Sequence, residues 1–144
     1  DHFVEKGQEF GTVTKRKRRC GWFDTVLVGQ SIAINGITDV VLTKLDVLDE
    51  LEEIKVCVGY EAKNKKYSYL PFDENIHNIL MPIYETIPGW QKSTFGLTSW
   101  DDLPKKAQAY ISFLESKIQK NISIISTGPD RAHTIDRNNL LGNN

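Results

Sequence analysis

An α/β fold, built on a mixed or mostly parallel sheet with flanking helices, is predicted by three features of this sequence. Short β-branched runs end in polar loops, one long stretch repeats its apolar residues at helical spacing, and the two kinds of segment alternate along the chain.

Residues 1–22 carry turn formers (Gly7, Gly11, Gly21) and charge without periodicity, which predicts a short helix followed by a loop. Asp24 is an N-cap candidate for a helix from Thr25 to Asn35, closed by Gly36 as a C′ glycine. The β-branched content of that stretch keeps a strand as the rival. Residues 37–43 are an apolar run bounded by polar residues, expected as a strand buried on both faces whose carboxyl end delivers Lys44 and Asp46. A helical turn over 47–52 separates it from a second strand at 54–60, and 67–70 reads as a third. A turn of helix is expected at 75–80. Residues 82–90, bracketed by Pro82 and Pro88, read as extended. Residues 99–104 read as a capped helix start that feeds Ala107, Tyr110, Ile111, Leu114 and Ile118. Residues 121–125 are the last expected strand, ended by a turn at Ser126, Thr127, Gly128 and Pro129.

The 144 residues are 40% hydrophobic with a formal charge of -1, which fits a single soluble domain able to bury a core. No run approaches the roughly 18 apolar residues of a membrane span, and the first residues are too polar for a signal peptide, so a cytoplasmic address is expected. Cys20 and Cys57 lack CxxC spacing, and with only three histidines they suggest neither a disulfide framework nor a zinc set. There is no internal repeat, low-complexity tract or linker. Charge is laid out unevenly: five cations run from Lys15 to Arg19, while acids gather over 46–53. An anion site is therefore expected near the cations. The chain begins at Asp1 and its only methionine is Met81, which suggests a piece of a longer protein.

Three places could carry chemistry. At Thr43-Lys44-Leu45-Asp46, a carboxylate could accept from both N1–H and the 2-amino group of guanine, whereas adenine offers an acceptor at N1 and no amine at C2. The lysine stem could cover the base while its ammonium stays wet, and such a charge-assisted bond is worth about 1.5 to 3 kcal/mol. Taken alone, the tripeptide reads more readily as a solvated helix start, with Asp46 as N-cap. The second place is the basic loop Thr12, Val13, Thr14, Lys15, Arg16, Lys17, Arg18, Arg19. Arginine forks suit a carboxylate or phosphate, and the threonine hydroxyls add neutral donors. The same run could hold nucleic acid or an acidic partner as a non-catalytic binding module, although it lacks the interleaved aromatics of single-strand binders. The third is the turn Ser126-Thr127-Gly128, where backbone could approach a flat ligand closely.

Five blocks, "EFGTVTKRKRRCGWFD" at 9–24, "NGITDVVLTKLDVLD" at 35–49, "IKVCVGYE" at 54–61, "PIYETIPGW" at 82–90 and "STGPDR" at 126–131, together resemble the carboxyl-terminal portion of the adenylosuccinate synthetase family in order and spacing. The resemblance covers essentially all of 1–144 but only about the last third of a family member. It implies a larger P-loop-NTPase-like single domain and a cytosolic homodimer. The implied enzyme uses GTP and Mg2+ to join IMP and L-aspartate, binding neither nucleic acid nor membrane. GTP phosphorylates the 6-oxygen of IMP, and the aspartate amine then displaces phosphate, giving adenylosuccinate, GDP and phosphate.

Carried across residue by residue, the resemblance makes 9–22 the aspartate loop, with Thr12 to Arg18 as substrate-binding residues. Arg16 matches the arginine that also meets IMP, and Arg18 the one that also meets GTP. The strand and turn 37–49 supply Lys44, Leu45 and Asp46 to guanine, and 122–131 supply Ser126, Thr127 and Gly128 to the other side of its pocket. Two positions depart from the family's usual Ala-Thr-Thr-Gly-Arg: Val13 replaces a threonine, losing a hydroxyl contact, and Lys15 replaces a glycine, restricting the loop. The family's catalytic aspartate and histidine, phosphate loop and magnesium ligands lie in its amino-terminal part, and no GxxxxGK[ST] motif occurs here. The chain alone is therefore expected to be inactive.

Overall fold

The computed structural model describes residues 2–142. In chain order its elements are α1 (His2–Lys6), β1 (Phe23–Asp24), α2 (Thr25–Asn35), β2 (Val40–Leu42), a 3-10 turn (Leu45–Leu48), β3 (Glu53–Ala62), β4 (Lys65–Tyr67), α3 (Glu74–His77), β5 (Met81–Pro88), α4 (Lys105–Ile118), β6 (Ile122–Ser126) and β7 (Thr134–Asp136). Among the described residues no helix is long and apolar enough to cross a membrane.

Local chemistry accounts for the helix boundaries. The Asp24 carboxylate accepts from the backbone N–H groups of Val26 and Leu27, each at 3.0 Å, satisfying two of the orphan donors that open α2. Gly36 ends α2 in the left-handed region (φ 62°) and returns its N–H to the Ile32 carbonyl. The strand rival for this stretch thus loses to its caps. The long helix near the carboxyl end departs from the expected capped start at 99–104: α4 begins at Lys105, with Pro104 in the N-cap position and no side-chain cap. Proline fixes its own φ and lacks the N–H that a helix start leaves unpaired, so it opens a helix without help.

Two sheets share the main core. In one, β3 pairs antiparallel with β5, antiparallel with β4 and parallel with β1. In the other, β6 pairs parallel with β2 and antiparallel with β7. The pairing is therefore mixed, with parallel ladders among the described residues only at β1–β3 and β2–β6. Ala107, Tyr110, Ile111, Leu114 and Ile118, spaced by three and four residues, are all buried on α4 and pack against Ile54 and Val56 of β3, Leu42 of β2, Ile122 and Ile125 of β6 and Ile135 of β7. One helix face thus closes over both sheets. On β3, Cys57 and Tyr60 join Val26 in a second, smaller cluster, where the Tyr60 hydroxyl donates to Asp24 and the Thr25 hydroxyl donates to the Cys57 carbonyl at 2.8 Å. Burial raises the Tyr60 hydroxyl pKa first, and the Asp24 carboxylate beside it adds to the rise.

Several expectations need correction. The strand expected at 37–43 is only Val40–Leu42 and is not buried on both faces, since Val41 is 56% exposed. The helical turn expected at 47–52 lies at Leu45–Leu48, because Lys44 takes a left-handed conformation (φ 62°) and turns the chain two residues earlier. The third strand is Lys65–Tyr67 rather than 67–70. The last strand is β7, three residues that run antiparallel to β6 and that no sequence pattern announced.

Candidate functional site

Because β2 and β6 are parallel neighbours, with Leu42 beside Ile125, the chain leaves both strands at the same end of the sheet. The segments that follow, 44–46 and 126–128, are thereby brought together at strand carboxyl ends, where open α/β sheets usually hold ligands. They line a cavity of about 490 Å³, with Lys44 and Asp46 on one wall, Ser126, Gly128 and Pro129 on the other, and Lys6, Gly7 and Gln8 beside them. Leu45 and Thr127, although within these turns, have buried side chains, at 1% and 0% exposure. Both residues are buried as a whole, and neither lines this cavity.

Asp46 is not the N-cap of its turn. Lys44 holds that position without a side-chain cap bond, and Asp46 Oδ1 is buried with no hydrogen-bond partner. A buried acceptor left unpaired is costly, and such groups are rare in folded proteins. Burial raises the Asp46 pKa above its ordinary value, and the Asp49 carboxylate nearby adds to the rise, while its own backbone N–H and, less strongly, Lys44 and His133 oppose it. Beyond the opposite wall, His133 Nδ1 is also buried and unpaired. Its ring meets Phe95 edge-on at 4.9 Å and lies so close to Gly128 that a Cβ there would fall 2.5 Å from Nδ1.

The predicted basic loop is a tight hairpin. Phe10 bridges Lys17, the Gly11 N–H donates to the Arg16 carbonyl at 2.8 Å, and the Lys15 N–H donates to the Gly11 carbonyl at 2.9 Å. Lys15 closes this turn at φ 54°, a left-handed conformation that glycine adopts at least cost. Thr12, Val13, Thr14, Lys15, Arg16, Lys17 and Arg18 are all exposed, and Thr14 Oγ1 accepts from the Arg16 N–H at 3.5 Å.

The hairpin meets the first wall through Glu9. One carboxylate oxygen pairs with Lys44 and the other with Arg18 Nη1 at 3.2 Å, while Lys44 Nζ also donates to the Gly7 carbonyl at 2.6 Å. The hydrogen bond from Lys44, aided by both cations' charges, holds the Glu9 carboxyl below the usual range. Arg18 and Lys44 also line a second, largely apolar cavity of about 350 Å³ that reaches Trp22, Leu42 and Tyr110. Arg16 lies outside both cavities.

Glu9, Asp49, Phe95 and His133 were not singled out in the sequence. Glu9 opens the first of the five blocks and Asp49 closes the second, so position was the available signal for those two; Phe95 and His133 lie where no periodicity or motif draws attention.

The family model described as adenylosuccinate synthetase matches residues 1–135. The adenylosuccinate synthetase of Ehrlichia canis is 52% identical over 135 residues, covering 94% of this chain and 31% of the relative. That of Marinobacter nauticus is 50% identical over 141 residues, covering 98% of this chain and 33% of the relative. The solved structure of the fully ligated adenylosuccinate synthetase from Plasmodium falciparum superposes with a TM-score of 0.88 at 37% identity, over 94% of this chain and 33% of that one. The chain thus spans about a third of the length of the relatives it matches.

Proposed function

The chain belongs to the adenylosuccinate synthetase family, and on that premise we propose that it supplies the guanine-recognition and aspartate-loop residues of an enzyme that joins IMP and L-aspartate at the expense of GTP. Family membership is also the ground for reading a cytosolic homodimer as the working form.

The observation that carries the proposal is Asp46 Oδ1, a buried and unpaired acceptor in the wall of a cavity formed where two parallel strands end. Guanine supplies what that oxygen lacks. Its N1–H and 2-amino group are adjacent in-plane donors, and one carboxylate can accept both. In this reading Lys44 covers the base, Ser126 and Gly128 form the facing edge, where Gly128 lets the backbone come close, and the buried Leu45 and Thr127 hold the two turns in place. Arg18, already placed beside Lys44 through Glu9, exchanges that carboxylate for the substrate's anionic groups. Arg16 and the hydroxyls of Thr12 and Thr14 complete the aspartate loop, with Val13, Lys15 and Lys17 contributing backbone. Among the described residues no three His, Cys, Asp or Glu side chains converge as metal ligands, so no magnesium-dependent step is assigned to them.

The pH dependence of guanine-nucleotide affinity tests this reading. Guanine's donors favour the ionised carboxylate, so binding lowers a pKa that burial raises in the free protein. Affinity should be full above that raised pKa and fall by about tenfold per pH unit as the pH drops below it. Asp46→Asn should abolish this slope. An affinity that stays flat through the acid range in the parent protein would remove Asp46 from the base site.

A further inference from the structure

Asp49 follows the base-reading turn by three residues and is buried; its backbone N–H donates to the Asp46 carbonyl at 3.2 Å, while its side chain bonds elsewhere. Its carboxylate accepts from Trp90 Nε1 at 2.7 Å, from the Thr94 N–H at 2.6 Å and from the Thr94 hydroxyl at 2.7 Å. Thr94 is itself fully buried. Segment 90–97 is thus pinned to the wall that carries Asp46. The same segment holds the opposite wall: the Gly96 N–H donates to the Thr127 carbonyl at 3.1 Å, the Thr127 hydroxyl donates to the Leu97 carbonyl at 2.8 Å, and Phe95 backs the His133 ring that lies against Gly128. Both walls therefore rest on one strap, whose hydrogen bonds to the Asp46 wall all go to a single carboxylate.

We propose that Asp49, through Thr94, is a positioning residue for guanine recognition: it fixes the spacing between the 44–46 and 126–128 turns. The inference rests on the guanine-site reading above. A strap that loosens by a few tenths of an ångström opens the slot for a flat base while leaving the IMP and aspartate contacts elsewhere untouched. A residue that merely stabilised the fold would affect all three substrates alike.

The test is steady-state kinetics on the intact synthetase with Thr94→Val, which keeps the side-chain size and the backbone donor but removes the hydroxyl bond to Asp49. The KM for GTP should rise about tenfold while kcat and the KM values for IMP and aspartate stay within about twofold. Thr94→Ser, which keeps the hydroxyl, should restore the parent KM. If Thr94→Val does not fold, Phe95→Leu at a half-exposed position provides a gentler loosening, with a rise of about threefold confined to GTP. An unchanged KM for GTP, a parallel change for all three substrates, or a Thr94→Ser variant as impaired as Thr94→Val would each overturn the proposal. Assayed alongside, Asp46→Asn separates the two levels. If it loses guanine preference while Thr94→Val does not change, the strap fails and the site stands; if it keeps that preference, the site fails and the strap with it.

Discussion

Asp46→Asn is expected to raise the KM for GTP about 10- to 100-fold and to let inosine and xanthine nucleotides compete, because the loss of a charge-assisted acceptor costs about 1.5 to 3 kcal/mol. The direction follows from donor and acceptor counts. A carboxylate accepts from both the N1–H and the 2-amino group, whereas an asparagine turns its own NH2 toward one of those donors. Xanthine carries a carbonyl where guanine carries the amine, so it gains a partner in the variant. Inosine lacks the amine and loses less than guanosine does. The folded protein should tolerate the change, since Asp46 Oδ1 makes no internal hydrogen bond and its ionised form is disfavoured by burial. Burial makes the folded state hold the Asp46 proton more tightly than the unfolded chain, so this residue's contribution to stability declines as pH rises through the raised pKa. Asparagine removes that penalty. Competition assays with the three nucleoside triphosphates, set beside a thermal melt, measure both effects.

Gly89→Ala is expected to destabilise the fold by about 3 kcal/mol or more, since the chain there can make room only by moving backbone. The Gly89 N–H donates to the Glu52 carbonyl at 2.7 Å, and a Cβ on Gly89 would overlap the Leu51 carbonyl oxygen and lie 2.7 Å from its carbon. No flexible side chain can yield. The damage spreads because the next residue, Trp90, is held by Asp49, so displacing Gly89 also strains the strap behind both walls. Chemical denaturation should show a lower midpoint with an unchanged slope. A midpoint equal to the parent's would show that this crossing is looser than its geometry implies.

What could be read in the sequence was whatever is local. Asp24 and Gly36 announce both ends of α2, because capping depends on a side chain and a φ angle a few residues apart. The five buried positions of α4 follow from spacing alone. Lys44 and Asp46 could be picked out chemically, but their setting could not. Whether Asp46 capped a helix or faced a pocket depended on Lys44 entering the left-handed region and on β6 lying beside β2, and the latter brings together residues some eighty positions apart. β7 was missed for the same reason: three residues carry too little pattern, and their strand identity comes from pairing with β6. Glu9 was invisible as a partner because its role is to join Lys44 and Arg18, which lie in different segments. The start of the 99–104 segment misled because serine and aspartate resemble caps, while the helix used the pre-set φ of proline.

The central claim is that a guanine base sits between the 44–46 and 126–128 turns and is read by Asp46. A crystal structure of the intact synthetase with a guanine nucleotide tests it most directly. The base should lie between the two turns, with N1 or the 2-amino nitrogen about 2.9 Å from Asp46 Oδ1, the distance of an ordinary hydrogen bond. A nucleotide whose base lies elsewhere, with Asp46 Oδ1 still unpaired, would contradict it.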